Sequence, residues 1–253
     1  MNDYNSMPGI RRSDLWKINK TPYHFRYAMD NPEPKTPALL FGAAAHKYIL
    51  EPETFDAEFA VAPIVDRRTK EGKAIWSDFT SNCEVNGLEA ITADDFEQIK
   101  AMNEAVDKHP NARRLLSGIH EKAFTWIDGQ TGEPCKVKVD CLAEFNGQKY
   151  IVDYKTTESC EDGAFERSCR KYGYKFQSGM YREGVFQNTF EEYSFAFVAQ
   201  EKTEPYAVRT YFCNKEFVDE GYDQFRTLLG LYHICNESNY WPGYTDSDLL
   251  GEG

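Results

Sequence analysis

The segment between Lys136 and Lys155 constrains the fold of this chain more than any other part of it. It contains two stretches rich in apolar and β-branched residues, and the pair Asn146-Gly147 lies between them. Asn-Gly is the pair that two-residue turns between antiparallel strands favour. The segment therefore predicts a β-hairpin, and hence a sheet to which its two strands belong.

The predicted hairpin places charged side chains close together. Asp140 lies on the first strand, and Asp153 and Lys155 lie two positions apart on the second. Side chains alternate between the faces of a strand, so Asp153 and Lys155 point the same way. Two carboxylates and an ammonium group on one apolar sheet could hold Mg²⁺ and activate water against a phosphodiester. The alternative is a pair of surface aspartates on an edge hairpin.

Length and composition limit the classes of protein. A chain of 253 residues suits one large domain, and 41% hydrophobic with 15% aromatic residues predicts a packed core. No apolar run is long enough for a membrane span, and the N-terminus lacks a signal-peptide pattern. Seven irregularly spaced cysteines without a CxxC pair predict reduced thiols in the cytoplasm, and argue against a zinc ribbon or an iron–sulfur cluster.

The net charge of −12 argues against a protein that coats nucleic acid without specificity. It is compatible with an enzyme that passes nucleic acid through a local basic channel. Each basic cluster could equally be a solvated face. The clusters are Arg11-Arg12, Arg67-Arg68 with Lys70 and Lys73, Arg113-Arg114, and Arg167, Arg170, Lys171 and Lys175.

Apolar periodicity and turn residues predict the remaining elements. Helices are predicted over residues 9–30, 38–50, 67–82, 92–117, 161–188 and 215–235. Strands are predicted over 121–128, 193–200 and 206–213, besides the hairpin. This order predicts an α/β or α+β fold in which a central mixed sheet is flanked by helices.

Four further residues are candidates for a site around the hairpin. His46 lies on a helix of small apolar residues, where a histidine is more often structural than a ligand. Glu121 opens a predicted strand and could add a carboxylate or face water. Gln177 and Tyr181 lie four residues apart, and therefore on one face of a helix. They could hydrogen-bond the charged groups, or the tyrosine could pack in the core.

Several motifs together resemble a known nuclease family. Asp140 with Asp153-Tyr-Lys155 resembles the PD-(D/E)XK nuclease core, although Val139 replaces the proline. The segment 41–53 is similar to the histidine motif of the RecB-like branch, and 177–181 matches its QxxxY motif. Segments 197–202 and 241–244 resemble the nuclease domain of RecE-type exonucleases (exodeoxyribonuclease VIII). The resemblance covers most of residues 10–245.

This resemblance implies a Mg²⁺-dependent 5′→3′ exonuclease that acts on double-stranded DNA ends and leaves 3′ single-stranded tails. It implies that the protein acts together with a RecT-like single-strand annealing protein in phage or prophage recombination, in the cytoplasm of a bacterial host. It also implies a ring of three or four copies around the DNA. One nuclease domain would span 1–253: a mainly helical part (10–120), the catalytic sheet with the QxxxY helix (121–213), and a C-terminal helix and tail (214–253).

Roles for individual residues follow from the same resemblance. His46, Asp140 and Asp153 would bind the metal together with the Tyr154 carbonyl, and Mn²⁺ could replace Mg²⁺. Lys155 would be the catalytic lysine. The supporting residues would be Gln177, Tyr181 and, matched less closely, Glu121.

Three other functions stay open at this stage. The same chemistry could serve an endonuclease or a single-strand-specific RecB-like nuclease. The fold could instead belong to a catalytically silent DNA-binding protein, although such a protein would have no need of all three charged residues of the hairpin. A small-molecule enzyme with an incidental hairpin would bind Mg²⁺ without binding DNA.

Overall fold

A computed structural model describes residues 4–245, so the first three residues and the end of the predicted C-terminal tail lie outside the described part. The helices are α1 (Arg12–Leu15), α2 (Pro22–Asp30), α3 (Pro37–Leu50), α4 (Lys70–Asn86), α5 (Ala93–Lys108), α6 (Ala112–Leu115), α7 (Asp162–Tyr172), α8 (Tyr174–Thr189) and α9 (Lys215–Ser238). Short 3-10 helices cover Tyr4–Ser6, Trp16–Asn19 and Pro52–Ala57. The strands are β1 (Ile10–Arg11), β2 (Phe59–Val61), β3 (Glu89–Ile91), β4 (Ile119–Ile127), β5 (Pro134–Phe145), β6 (Gln148–Thr157), β7 (Ser194–Glu201) and β8 (Val208–Phe212).

Six strands form the main sheet, and β5 lies at its centre. One edge of β5 pairs with β4; the other pairs with β6 over residues 141–145 and with β1 at 135–136. Beyond β6 follow β7, which is parallel to β6, and β8, which is antiparallel to β7. Strands β2 and β3 make a separate two-stranded sheet. The predicted mixed sheet flanked by helices is confirmed.

The predicted hairpin between β5 and β6 is confirmed as well. Asn146 and Gly147 both have positive φ, 52° and 77°, as a type I′ turn requires. The right-handed twist of such a turn matches that of the strands. The turn therefore fixes which residues of β5 and β6 face each other.

Helices cover both faces of the sheet, and each face has its own core. Helices α1, α2, α7, α8 and α9 pack on one face, where Ile151 and Phe195 point. Helices α3, α5 and α6 pack on the other, where Val152 and Val198 point. The opposite assignments of Ile151 and Val152 show the alternation expected of a strand buried on both faces.

Three predicted long helices are interrupted. Residues 161–188 form two helices, because Gly173 adopts a left-handed conformation between them, with φ of 66°. A Cβ at Gly173 would overlap the Trp16 ring, so this break is also a close contact with the N-terminal segment. Residues 9–30 divide into β1, α1, a 3-10 helix and α2, and residues 92–117 divide into α5 and α6. Thr92 caps α5 by accepting a hydrogen bond of 3.0 Å from the Asp95 N–H.

Between residues 4 and 245, no helix combines the length and apolar character needed to cross a membrane.

Candidate active site

Three carboxylates lie in a row across β4, β5 and β6. Strand β4 pairs with β5 so that His120 faces Cys141 and Lys122 faces Val139, which places Glu121 opposite Asp140. Strand β5 pairs with β6 up to Cys141 and Val152, and continuing this register places Asp140 opposite Asp153. Asp140 is thus the centre of the row.

The backbone ladder is interrupted at Asp140 on both sides. Glu121 has a φ of 52°, a left-handed conformation that is uncommon for a residue with a Cβ. On the other side, the Tyr154 N–H donates a hydrogen bond of 2.9 Å to Asp140 Oδ2. Where β5 and β6 separate, the Asp140 side chain therefore accepts the hydrogen bond that a backbone carbonyl would accept in a regular sheet. The gap leaves room for the three carboxylates.

Helix α3 brings His46 to this row. Thr36 caps the helix, and Ala44 and Ala45 are fully buried, which lets α3 pack closely on the sheet. His46 Nε2 lies 3.0 Å from Asp140 Oδ2, and Nδ1 lies 3.6 Å from Glu121 Oε1. The histidine thus contacts both carboxylates that lie on its side of the row.

Lys155 and Gln177 hold Asp153. Lys155 Nζ lies 2.5 Å from Asp153 Oδ2, which confirms that both side chains point the same way. Gln177, on α8, donates a hydrogen bond from Nε2 to Asp153 Oδ1. Asp153 is only 1% exposed, and a carboxylate so deeply buried needs such partners. The Lys155 ammonium also lies 5.0 Å from the centre of the Tyr174 ring.

Tyr181 lies one turn beyond Gln177 and is partly buried against Phe195, with 6.5 Å between the ring centres. Burial and the charges of Asp153 and Asp140 raise the pKa of its hydroxyl well above the usual value. Tyr181 therefore stays protonated beside the carboxylates at any ordinary pH. The predicted neighbourhood of Gln177 and Tyr181 is present.

The site has an uneven distribution of charge. Burial raises the pKa of Asp153 to about 6, and the neighbouring Asp140 charge adds to this effect. Burial also opposes ionisation of Asp140, but the charge and hydrogen bond of His46, the Lys155 charge and the Tyr154 N–H together outweigh burial and lower the Asp140 pKa. Conversely, burial lowers the pKa of His46 and its carboxylate neighbours raise it, with a net increase. The site therefore attracts positive charge.

The donor set fits a divalent cation. One donor atom from each of His46, Glu121 and Asp140 lies within 4.8 Å of the other two. Glu121 Oε1 is buried and accepts no hydrogen bond from any residue between 4 and 245. An imidazole with carboxylates suits Mg²⁺ or Mn²⁺, and such a cation would satisfy the unpaired oxygen.

This donor group differs from the predicted metal ligands at two residues, Glu121 and Asp153. Glu121 was expected as a supporting residue, but it belongs to the tight donor group, whereas Asp153 lies beside that group and is held by Lys155 and Gln177. The Tyr154 ring points to the opposite face, and its hydroxyl donates to Gln200 at 2.6 Å. The role of the Tyr154 carbonyl stays a prediction.

Sequence reasoning missed two neighbours of the site. Lys138 is paired with Glu121 Oε2, and the Tyr174 ring lies against Lys155. Both could have been found from spacing. Lys138 is two positions before Asp140 and so shares its face of β5, and Tyr174 is three positions before Gln177 on α8.

The sheet and its row of carboxylates define the class of protein. A mixed sheet in which two adjacent strands carry facing aspartates, with a lysine two residues after the second, is the core of a PD-(D/E)XK nuclease-like domain. A family model described as a PDDEXK-like domain of unknown function (DUF3799) matches residues 13–248. The chain belongs to this family, and the predicted PD-(D/E)XK fold is confirmed.

Solved structures agree with this assignment at the level of the fold. The crystal structure of a proposed exonuclease from Eubacterium rectale is similar, with a TM-score of 0.65 and 16% sequence identity. The similarity covers 99% of this chain and 89% of that one. The structure of SSO0001 matches with a TM-score of 0.29 and 9% identity over 88% of this chain and 93% of that one, which is too low to support any conclusion. No curated protein matches the sequence.

Proposed function

We propose that this protein is a metal-dependent 5′→3′ exonuclease that degrades one strand from the ends of double-stranded DNA and leaves 3′ single-stranded tails. The observation that carries the proposal is the row formed by Glu121, Asp140 and Asp153, with His46 and Lys155 beside it. Acidic side chains concentrated around a lysine suit the hydrolysis of an anionic phosphodiester, provided that a cation binds there.

His46, Glu121 and Asp140 would hold the cation, with Asp153 and the Tyr154 carbonyl next to them. Mg²⁺ is the proposed cation and Mn²⁺ a substitute. When bound, the ion would polarise the scissile phosphate and lower the pKa of a water molecule. The Tyr154 N–H keeps Asp140 Oδ2 in place, so this carboxylate is oriented before any ligand arrives.

Lys155 would orient the attacking water and stabilise the negative charge that develops on the phosphate. Asp153 holds the ammonium group 2.5 Å away, and Gln177 fixes Asp153 in turn. The lysine is thus positioned through two consecutive contacts. Tyr181, whose hydroxyl is protonated and is influenced by the charges of the same carboxylates, would donate a hydrogen bond to the strand being cut.

The cysteines, the net charge and the sequence resemblance bear on the proposed setting and on how DNA would be held. All seven cysteines are free thiols, as expected in a reducing compartment. The charge of −12 disfavours binding along the whole surface, and a ring of three or four copies would confine DNA to a local lumen. A phage or prophage origin and a single-strand annealing partner rest on the RecE-type resemblance of the sequence.

The test uses linear duplex DNA labelled at either the 5′ or the 3′ end, and closed circular DNA of the same sequence. With Mg²⁺, we expect early release of the 5′ label, late release of the 3′ label and an intact circle, with no reaction in EDTA. Early release of the 3′ label would contradict the proposed direction. Cutting of the circle would identify an endonuclease, and binding without cleavage would identify a silent DNA-binding protein.

A further inference from the structure

A basic groove lies outside the row of carboxylates and contains none of its residues. It has a volume of about 700 Å³ and lies between the N-terminal helical segment and the last turn of α7. Two carboxylates, Asp14 and Glu33, line it together with five cationic side chains. The cationic residues are Arg11, Lys17, Lys20, Arg170 and Lys171. This local excess of positive charge stands out on a chain with a net charge of −12.

Only part of this positive charge is neutralised within the protein. Asp14 is buried and is paired with Arg11 at 2.5 Å and with Lys17 at 2.9 Å. For Lys20, Arg170 and Lys171, residues 4–245 contain no carboxylate within salt-bridge distance. All three side chains are exposed. The groove therefore presents three cations that are available to an anionic ligand.

The groove is connected to the candidate active site through two tyrosines. Lys171 Nζ lies 5.0 Å from the centre of the Tyr172 ring, and Tyr172 stacks on Tyr174 with 5.8 Å between the centres. The next contact is Tyr174 with Lys155, also at 5.0 Å. This series of contacts links Lys171, at the groove, to Lys155, at the candidate active site.

Exposed aromatic rings accompany the cations. Tyr23 and Tyr27, on α2, are 57% and 59% exposed, and Tyr172 is 47% exposed. The α2 residues that line the groove are His24, Ala28 and Met29, and Tyr23 and Tyr27 precede two of them in sequence without lining it. Cations that follow a backbone, with aromatic rings on which bases can stack, are typical of sites for single-stranded nucleic acid.

We propose that this groove binds the sugar–phosphate backbone of the strand being hydrolysed, as a short unpaired segment next to the scissile phosphate. Lys20, Arg170 and Lys171 would contact the phosphates, and the exposed Tyr172 ring, which lies against Lys171, would stack on a base. The proposal rests on the proposed nuclease function, because it assigns a path to the substrate of that site.

The test compares the wild type with two triple variants that lose the same charge. One carries Lys20→Ala, Arg170→Ala and Lys171→Ala. The matched control carries Lys100→Ala, Lys108→Ala and Lys149→Ala, which lie on α5 and at the start of β6. Binding of a fluorescent single-stranded oligonucleotide is measured by anisotropy in EDTA over a range of salt concentrations. Hydrolysis is measured with Mg²⁺, and thermal unfolding verifies that all three proteins are folded.

We expect the groove variant to raise KM by about tenfold, with kcat within about twofold of the wild type. The slope of log K against log salt should become shallower by about 2, because three phosphate contacts are lost at about 0.7 each. The control variant should match the wild type in both measurements.

Equal KM and salt slope in the groove variant and the control would overturn the proposal for the groove. Failure of the wild type to hydrolyse any nucleic acid would instead overturn the proposed function. The anisotropy titration, which needs no hydrolysis, would then test the groove by itself. The two failures are therefore distinguishable.

Discussion

Asp140 faces a carboxylate on each neighbouring strand, and its side chain accepts a hydrogen bond from the Tyr154 backbone at 2.9 Å. Like charges at this spacing repel one another, so the arrangement destabilises the protein unless cations offset it. His46 and Lys155 offset part of the repulsion. At the residue scale, the crowded carboxylates cost stability, and the proposed cation would recover part of it.

Lys155→Ala should abolish hydrolysis while leaving the fold and metal binding in place. A loss of about 10³-fold in kcat is expected, since the ammonium group would stabilise charge that develops only in the transition state. The matched control is Lys149→Ala on the same strand, which is exposed, paired with Glu191 and expected to be neutral. Wild-type rates in Lys155→Ala would contradict the assigned mechanism.

Glu121 has a left-handed backbone conformation, so we expect an unusual order of stability when glycine and alanine replace it. Glu121→Gly should be more stable than Glu121→Ala by about 1 kcal/mol, because only glycine adopts this conformation without a steric penalty. At Lys122, the exposed next residue of β4, the order should reverse, because glycine weakens an ordinary strand. The measurement is chemical denaturation of all four variants. The same order at both positions would refute the strain at Glu121.

At the element scale, helices α8 and α9 support the sheet beneath the site and touch through glycines. A Cβ at Gly179 would overlap the backbone of Tyr222, and a Cβ at Gly221 would overlap the Lys175 carbonyl oxygen. The two helix backbones are therefore in direct contact. This contact fixes α8, and with it the position of Gln177 relative to Asp153.

Gly221→Ala should destabilise the protein by about 3 kcal/mol, because the added methyl group has no space between the two helices. Gly230→Ala, on the same helix, is the matched control, since no described heavy atom lies within 4 Å of its Cβ position. This control should be neutral or stabilising by up to about 1 kcal/mol, because alanine favours helix. Thermal unfolding checks both, and equal stabilities would contradict the close packing of α8 on α9.

The elements differ in how far the sequence determines them. The hairpin was predictable because its turn residues and alternating strands are local signals. The break at Gly173 was not, because it depends on Trp16, a residue far away in sequence. Strand β1 has only two residues and exists because Ile10 and Arg11 pair with β5, so no local pattern reveals it.

The candidate site follows the same division. Asp153 and Lys155 were predictable from strand alternation, and the side chains are in contact. The place of Glu121 in the donor group depends on the register between β4 and β5, which the sequence of a single strand does not specify. His46 was identified through a motif, because its position on a helix of small residues does not by itself distinguish a metal ligand from a structural histidine.

At the scale of the whole molecule, charge is divided between a carboxylate-rich centre and a cationic groove next to it. The chain carries −12 overall, and three cations of the groove, Lys20, Arg170 and Lys171, have no carboxylate partner among the described residues. Such a distribution would keep nucleic acid away from most of the surface and admit it along one path. The overall acidity would therefore make the binding of nucleic acid selective for the groove.

Binding of a divalent cation should stabilise the whole molecule. At a concentration about 100 times Kd, the gain is about 3 kcal/mol, which corresponds to a rise in Tm of about 5–10 °C for a chain of this size. Glu121→Gln and Asp140→Asn should lose most of this rise, while Glu144→Gln, exposed on β5, should keep it. Differential scanning calorimetry with and without Mn²⁺ measures the effect. An equal rise in all four proteins would place the cation elsewhere.

If the row of carboxylates is a metal-dependent nuclease centre, hydrolysis of linear duplex DNA must require both a divalent cation and Asp140. The wild type, Asp140→Asn and Glu144→Gln are each assayed with Mg²⁺ and with EDTA. We expect hydrolysis by the wild type and Glu144→Gln with Mg²⁺ only, and a loss of about 10²-fold or more in Asp140→Asn. Hydrolysis that persists in EDTA, or that survives in Asp140→Asn, would contradict this assignment.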